Sequence, residues 1–277
     1  MKKFGHAIKK YPLAAVSALI LLLIIIITIA APVIATYDSD ATDILHAIAK
    51  PSAEHLLGTD MQGRDVFSRL LYGGRTALLA PLAVVAIAII IGVPLGLLSG
   101  YIGGWFDNLI MRSCDVILAF PSMLIALLTV AFLGRGLQNA ISVLGLFYIP
   151  MMARMVRAQV IVQKEQNYVE ACHALGYSTA RIMFIHILPN CMSSVIVQST
   201  LCLGYAMLDL AALSYLGLGV QPPKSDWGYM LSEGKQVLTF APWLSLSAGA
   251  AIMVTAACFN FLGDGLDDFL DPRRKRL

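Results

Sequence analysis

The chain has 277 residues, of which 58% are hydrophobic and only 13% are charged. That charged share is well below the roughly one quarter of an ordinary soluble protein. The apolar residues fall in blocks of the roughly 20 residues that a helix needs to cross a bilayer, which excludes a soluble globular domain. The net charge of +3 is too small to indicate a nucleic-acid partner. The composition predicts an all-α, polytopic membrane protein embedded in lipid.

Six apolar segments are long enough to be membrane-spanning helices. They lie at about 12–35, 76–99, 113–133, 138–157, 193–216 and 240–263. Six spans place both termini on one side, and that side carries thirteen of the 20 Lys and Arg residues against seven on the other. Because basic residues concentrate in cytoplasmic segments, we expect both termini and the loop between spans four and five to be cytoplasmic.

The first apolar run, Leu13–Ala35, follows a basic start and could be mistaken for a signal peptide. It is longer than the roughly 7–15 residues of a signal core, so we expect an uncleaved first span. A polar segment follows it outside the membrane. There, Val66 and Leu70 predict an amphipathic surface helix that leaves Arg64, Asp65 and Arg69 facing polar surroundings.

The second span carries glycines four residues apart, at Gly92, Gly96 and Gly100, together with Pro94. Small residues let membrane helices approach closely, whereas glycine and proline also make a helix bendable. Two interpretations of these residues therefore stay open: close packing against another helix, or a gating hinge. The cytoplasmic turn that follows has charged residues at helical spacing, and we expect Asp107, Arg112 and Asp115 to pair with one another in a structural role.

The loop between spans four and five predicts a compact helix–turn–helix. Asn167 can cap the first helix, with Glu170 three residues later completing a capping box. Gly176 supplies a left-handed stop. Ser178 can cap a second helix, and Pro189 marks its break and the first turn of the next helix.

Asp209 is an acidic residue well inside the fifth apolar segment. A charged side chain at the centre of a lone membrane helix costs roughly 2.5–3.5 kcal/mol. It should therefore face the protein interior, a water-filled path or a partner. Two interpretations stay open: Asp209 lines a translocation path, or it is a hydrogen-bonded packing residue.

The loop also resembles the cytoplasmic loop of ATP-binding-cassette (ABC) importer permeases, which runs E-A-A, three residues, G, nine residues, I-x-L-P. The matching positions are Glu170, Ala171, Cys172, Gly176, Leu188 and Pro189. Two residues depart from the pattern: Cys172 replaces an alanine and His186 replaces the isoleucine. The resemblance implies that these six positions couple the chain to ATPase subunits.

Three further segments resemble the peptide and nickel branch of that family. They are Leu57–Arg69, Leu216–Leu231 and Phe259–Pro272, the last with Asp267 where arginine is usual. In that family, the outer surface near the second segment receives a substrate-loaded binding protein. The resemblance therefore implies docking of that protein at Pro222, Pro223 and Trp227.

Together these segments are similar to the C-type permease subunit of a peptide or nickel ABC importer. The resemblance implies a bacterial inner-membrane protein, with residues 1–75 as tail, first span and outer segment and 76–277 as the permease domain. The implied partners are a homologous second permease, two ATP-binding subunits and an extracytoplasmic binding protein. ATP and magnesium would belong to the ATPase subunits, and we expect no cofactor, metal site or catalytic residue in this chain.

The substrate stays open at this point. Dipeptides or oligopeptides are favoured by the resemblance, and nickel or a metal–chelator complex is the alternative. A secondary transporter is a more distant alternative, because ion coupling needs intramembrane ionisable residues and Asp209 is the one available.

Overall fold

The computed structural model describes residues 11–270, which are mostly helical and contain no β-strand. A 3-10 turn, Ile44–His46, lies in the polar segment after the second helix, and a π-helical turn, Ile182–Ile187, lies directly between the helix that ends at Arg181 and the helix that begins at Leu188. The helices are α1 (Pro12–Ile29), α2 (Ala31–Ile34), α3 (Val66–Ile102), α4 (Gly104–Leu118), α5 (Ser122–Leu133), α6 (Leu137–Lys164), α7 (Asn167–Ala174), α8 (Thr179–Arg181), α9 (Leu188–Tyr215), α10 (Trp227–Gln236) and α11 (Pro242–Leu270).

Five helical stretches within the described residues are long and apolar enough to cross a membrane: α1, α3, α6, the run from α8 to α9, and α11. The pair α4 and α5 adds a sixth when it is counted as one span, and it is bent by 83°. The predicted all-α, polytopic membrane fold is confirmed, with five to six membrane-spanning helices. The segment predicted as the third span, 113–133, is broken, because Pro121 lies directly before α5 and disfavours helix at the residue before it, so the chain turns there.

The second span begins earlier than predicted. The expected surface helix and the expected second span form one 37-residue helix, α3. Gly73 and Gly74 do not end it, because both are packing positions: a Cβ on Gly73 would lie 3.0 Å from the Trp227 ring, and one on Gly74 2.7 Å from Thr28 Oγ1.

The spans cross the bundle in alternating directions, so their ends meet at two opposite ends of the bundle. We name each end after a short helix that lies there. The α7 end holds the C-terminal ends of α3, α6 and α11 and the start of α9. The α10 end holds the starts of α3, α6 and α11 and the end of α9. The basic residues before position 11 and after 270, on which the topology prediction partly depends, lie outside the described residues.

Helices α3 and α6 form the central pair of the bundle. A Cβ on Gly96 would lie 2.4 Å from the Ala153 carbonyl oxygen, and a Cβ on Gly92 or Gly100 would lie 2.9 Å from a backbone oxygen of α6. Real Cβ atoms do not approach other atoms this closely, so the two backbones touch because these side chains are absent. The glycines serve close packing, the first of the two interpretations left open above.

Candidate functional site

The helix–turn–helix predicted between spans four and five is present, and its turn is closed as expected. Gly176 follows α7 with a φ of +75°. Its N–H donates to the His173 carbonyl at 2.9 Å, and the Tyr177 N–H donates to the Cys172 carbonyl at 3.1 Å. This pair of bonds is the Schellman motif, which satisfies the last carbonyls of the helix and favours glycine at the left-handed position.

The predicted capping box is wrong. α7 begins at Asn167 itself, Gln166 takes the capping position, and no side chain caps the helix. Since only two residues separate α6 from α7, the chain re-enters helix one residue before the predicted start. Glu170 is consequently not held against the backbone, and its side chain is exposed on the loop surface.

The predicted helix break at Pro189 is also wrong. Ser178 does occupy the capping position of α8, although its hydroxyl makes no capping bond. From Thr179 the chain stays helical through the π turn into α9. Pro189 lies in the first turn of α9. A missing N–H is harmless at the start of a helix, so the wide turn before it lets proline be accommodated without a break.

The loop has a buried face and an exposed face. Cys172 is buried in the main apolar core, together with Val169, Ile182, Met183 and Ile187. Of the other positions taken from the importer motif, Glu170, Ala171, Gly176 and Pro189 are exposed, and Leu188 is partly buried. Cys172 therefore anchors the loop and is not part of its surface.

The exposed face of the loop carries apolar side chains that the motif did not indicate. Leu175 is 70% exposed, Ile185 60% and Phe184 49%. They lie on both sides of the Gly176 turn. Exposed apolar residues grouped on a charged loop are typical of a surface that binds a partner. The signal in the sequence was their position at the helix stop and on the π turn, outside the regular core spacing.

Side-chain contacts fix the loop to the bundle. The Tyr177 ring stacks on His186 with centroids 5.6 Å apart, and the Arg181 guanidinium lies 4.2 Å from the Tyr177 centroid. The Tyr101 hydroxyl, at the end of α3, lies 3.2 Å from His173 Nε2 on α7. The two contacts of Tyr177 hold the loop together internally, and the Tyr101–His173 contact joins it to the central helix pair.

The charged residues of α4 pair across helices and not along their own. Arg157 on α6 donates two bonds of 2.5 Å to the carboxylate of Asp107, which the Ser99 hydroxyl also contacts. Arg154 donates to Asp115 at 2.8 Å. The predicted mutual pairing of Asp107, Arg112 and Asp115 is therefore wrong, because the carboxylates of Asp107 and Asp115 bind arginines of α6 instead.

Asp209 lies on α9 at the wall of a cleft of about 310 Å³. The Tyr148 hydroxyl on α6 donates to it at 3.0 Å. The cleft is lined by Ser122, Phe147, Tyr148, Met151, Tyr205, Leu208 and Asp209. Tyr205 and Leu208 are exposed beside it, so the cleft is open on one side. Asp209 thus faces this cleft, and within residues 11–270 it has no ion-pair partner.

At the α10 end, Pro222 and Pro223 are exposed, whereas Trp227 is only 4% exposed. The Trp227 indole N–H donates to the Leu70 carbonyl at 2.8 Å. Trp227 was expected on the docking surface, but it lies inside the fold and offers no ring to a partner. Its indole instead fixes α10 against the start of α3.

Four buried charges form an ion network at the same end. Arg64 donates from Nε to Asp60 at 2.6 Å and from Nη2 to Glu233 at 2.7 Å. Arg69 donates to Glu233 at 2.6 Å and also contacts Asp60. Burial opposes the charge on Arg64, but the Glu233 and Asp60 carboxylates outweigh it and raise the pKa of that guanidinium above its ordinary value.

The network corrects the expectation that Arg64, Asp65 and Arg69 face polar surroundings. Arg64 is 1% exposed and Arg69 is fully buried. Asp65 is buried as well and caps α3, accepting from the Ser68 N–H at 2.8 Å. Burial is possible because Glu233, more than 160 residues away in sequence, supplies the second carboxylate, and no local pattern reveals it.

Replacing Glu233 by alanine should strongly destabilise the protein. Glu233→Ala leaves two buried guanidinium groups with one carboxylate, and breaking such a buried network costs about 3–5 kcal/mol. The midpoint of thermal unfolding in detergent should fall by about 10 °C. Arg154→Ala is the matched control, because its ion pair is exposed and should contribute about 1 kcal/mol or less. Equal shifts for both variants would contradict the assigned importance of the network.

Comparison with known proteins gives consistent matches over the chain. The family model described as "Binding-protein-dependent transport system inner membrane component" matches residues 92–276. A second, described as "N-terminal TM domain of oligopeptide transport permease C", matches residues 1–51.

Curated relatives match over nearly the full length. The dipeptide transport system permease protein DppC of Alkalihalophilus pseudofirmus is 44% identical over 97% of this chain and 88% of its own. The glutathione transport system permease protein GsiD of Pectobacterium atrosepticum is 40% identical, covering 99% of this chain and 91% of its own. GsiD of Escherichia coli O6:K15:H31 is 42% identical, with coverage of 99% and 90%.

A solved structure of the MetNI methionine ABC transporter in inward-facing conformations is similar in fold. The TM-score is 0.59, with 18% identity, over 71% of this chain and 93% of that one. At this identity the likeness concerns the fold alone.

Proposed function

This chain belongs to the binding-protein-dependent transport system inner membrane components, as a multi-pass permease subunit of an ABC importer of peptides. We propose that the loop containing α7 and α8, described above, is the contact through which separate ATPase subunits drive this permease. The observation that carries this proposal is the exposed apolar face of the loop. Leu175 directly precedes the turn fixed by the Gly176 Schellman motif, and Phe184 and Ile185 are exposed on the π-helical turn that follows in the chain. A rigid turn with exposed apolar residues fits docking into a partner's groove.

The loop is also placed to pass force into the bundle. Its buried face packs on the main core through Cys172 and Val169, and His173 contacts Tyr101 at the end of α3. A push on the exposed face therefore acts on α3, α6 and α9 together. The complex we infer contains a homologous second permease, two ATP-binding subunits that hold ATP and magnesium, and an extracytoplasmic binding protein.

We propose that the α10 end faces outward and receives that binding protein. The topology predicted from the sequence supports this orientation, because it assigns thirteen of the 20 Lys and Arg residues to the cytoplasmic side, eight of them outside the described residues. Pro222, Pro223 and Lys224 are exposed there and present a stiff surface that carries one positive charge. The dipeptide and glutathione permeases among the relatives favour short peptides over nickel or a metal–chelator complex as the substrate.

Gly176→Trp should uncouple ATP hydrolysis from transport. A Cβ at Gly176 has nothing within 4 Å, so the indole projects from the loop without an internal clash and obstructs the docking surface. The measurement is peptide transported per ATP hydrolysed by the complete complex in proteoliposomes, and this ratio should fall several-fold, because an obstructed loop does not pass the movement of the ATPase subunits to the helices.

Gly104→Trp is the matched control for this experiment. Gly104 has a φ of +62°, close to that of Gly176, and also has nothing within 4 Å of its Cβ, but it lies at the junction of α3 and α4, outside the loop. It carries a similar backbone strain, so its ratio of peptide to ATP should stay near wild type. A wild-type ratio in Gly176→Trp would refute coupling through the loop.

Orientation is tested by thiol labelling of intact cells. Cysteines at Ser52 and Lys224, both exposed and at the α10 end, should react with a membrane-impermeant reagent added outside. A cysteine at exposed Ser178 should react only after permeabilisation. Ser225 is unsuitable because it is buried, and the five native cysteines are buried too. Labelling of position 178 in sealed cells would reverse the proposed topology.

A further inference from the structure

We propose that Asp209 binds the free ammonium group of the peptide as it passes through the permease. This inference depends on the proposed function and adds the chemical group that the path recognises. Its starting point is the cleft between α5, α6 and α9, where a carboxylate lies at the wall of an open, mostly apolar space.

Asp209 has unused capacity to accept hydrogen bonds. Within residues 11–270, Tyr148 is its hydrogen-bond partner and no Lys, Arg or His forms an ion pair with it. A carboxylate offers about four acceptor positions, so one donor leaves most of them open. An ionised carboxylate in an apolar setting is costly unless a cation meets it. A primary ammonium, with three donors, is the complementary group.

The walls of the cleft also suit a cation attached to a small organic body. Phe147, Tyr148 and Tyr205 line it, and aromatic rings attract cations to their faces. Met151 and Leu208 supply apolar contact for a side chain. A volume of about 310 Å³ lies at the lower end of the range for small-molecule sites, which fits the first residues of a short peptide and not a large folded ligand.

Tyr148 acts as a positioning residue in this arrangement. Its hydroxyl donates to Oδ2 of Asp209 from the neighbouring helix α6 and fixes that oxygen on the cleft wall. Oδ1 is then left for the ammonium. A bare metal ion would need several further ligands, and the other lining residues supply one hydroxyl at Ser122, two phenols and a thioether. An amine is satisfied by one carboxylate and aromatic faces.

The alternative role for Asp209 is packing against the second permease. In that case the open side of the cleft would be covered in the assembled complex, and Leu208, now 44% exposed, would be inaccessible to reagents. The two roles therefore differ in whether position 208 reacts in the complete complex, and in whether a peptide amine protects it.

The experiment measures protection of a cysteine at Leu208 in the complete complex in vesicles, without the binding protein. A small maleimide labels Leu208→Cys while dialanine or N-acetyl-dialanine is added at increasing concentration. Because the binding protein is absent, its own preference for peptide termini does not enter. We expect dialanine to protect the thiol at lower concentration than N-acetyl-dialanine, since acetylation removes the ammonium charge.

The same measurement is made with Asp209→Asn in the Leu208→Cys background. The half-protecting concentration of dialanine should rise about tenfold or more, the size expected for losing one charge-assisted hydrogen bond. That of N-acetyl-dialanine should stay unchanged. Asp264→Asn is the matched control, because it removes an exposed carboxylate of α11 that does not line the cleft. The half-protecting concentrations of both peptides should be the same in this variant as in the wild type.

Equal protection by both peptides, no protection by either, or no effect of Asp209→Asn would overturn the inference. A cysteine at 208 that never reacts in the complex would overturn it in favour of packing. ATP-driven uptake of dialanine with the binding protein added separates this result from the proposed function. Uptake without amine-dependent protection refutes the role of Asp209 alone, whereas absence of uptake by the wild-type complex refutes peptide import.

Discussion

The close contact between α3 and α6 is the constraint on which the rest of the structure depends. Lipid tails are as apolar as the helices, so membrane helices associate through tight packing more than through exclusion of water. The glycines of α3 let its backbone touch that of α6 near Ala153. α3 extends from the buried ion network at the α10 end to Tyr101 at the α7 end. One contact therefore holds both ends of the bundle in register.

The proposed coupling loop and the cleft are both attached to this pair. α6 carries Tyr148 at the cleft and Arg157 at the α7 end, where its bidentate bond to Asp107 fixes α4. The loop follows α6 directly and meets α3 through His173. We infer that a movement of the loop displaces whole helices, because packed helices shift as rigid bodies. The cleft at Asp209 lies between α6 and α9, the two helices that the loop connects.

Much of this architecture was accessible from the sequence, because its determinants are local. The lengths of the apolar runs predicted the spans, and the single residue Gly176 was enough to predict where α7 ends. The predictions that failed depend on distant or shifted partners. Arg64 and Arg69 are buried because Glu233 meets them from α10, and Trp227 is buried because the Leu70 carbonyl accepts its N–H. The capping box failed by one residue, since the short α6–α7 connection sets where α7 begins.

The most direct test of the α3–α6 contact is the thermal unfolding midpoint of Gly96→Ala against Gly249→Ala. In an open helix site, alanine is more stable than glycine by about 1 kcal/mol. Gly249 is such a site, since its Cβ would meet Leu231 at an ordinary 3.6 Å. At Gly96 the added methyl group would lie 2.4 Å from the Ala153 carbonyl oxygen and must separate the two helices, at a cost of about 1–3 kcal/mol. The account predicts a lower midpoint for Gly96→Ala and an unchanged or higher one for Gly249→Ala. A midpoint of Gly96→Ala at or above that of the wild type would contradict it.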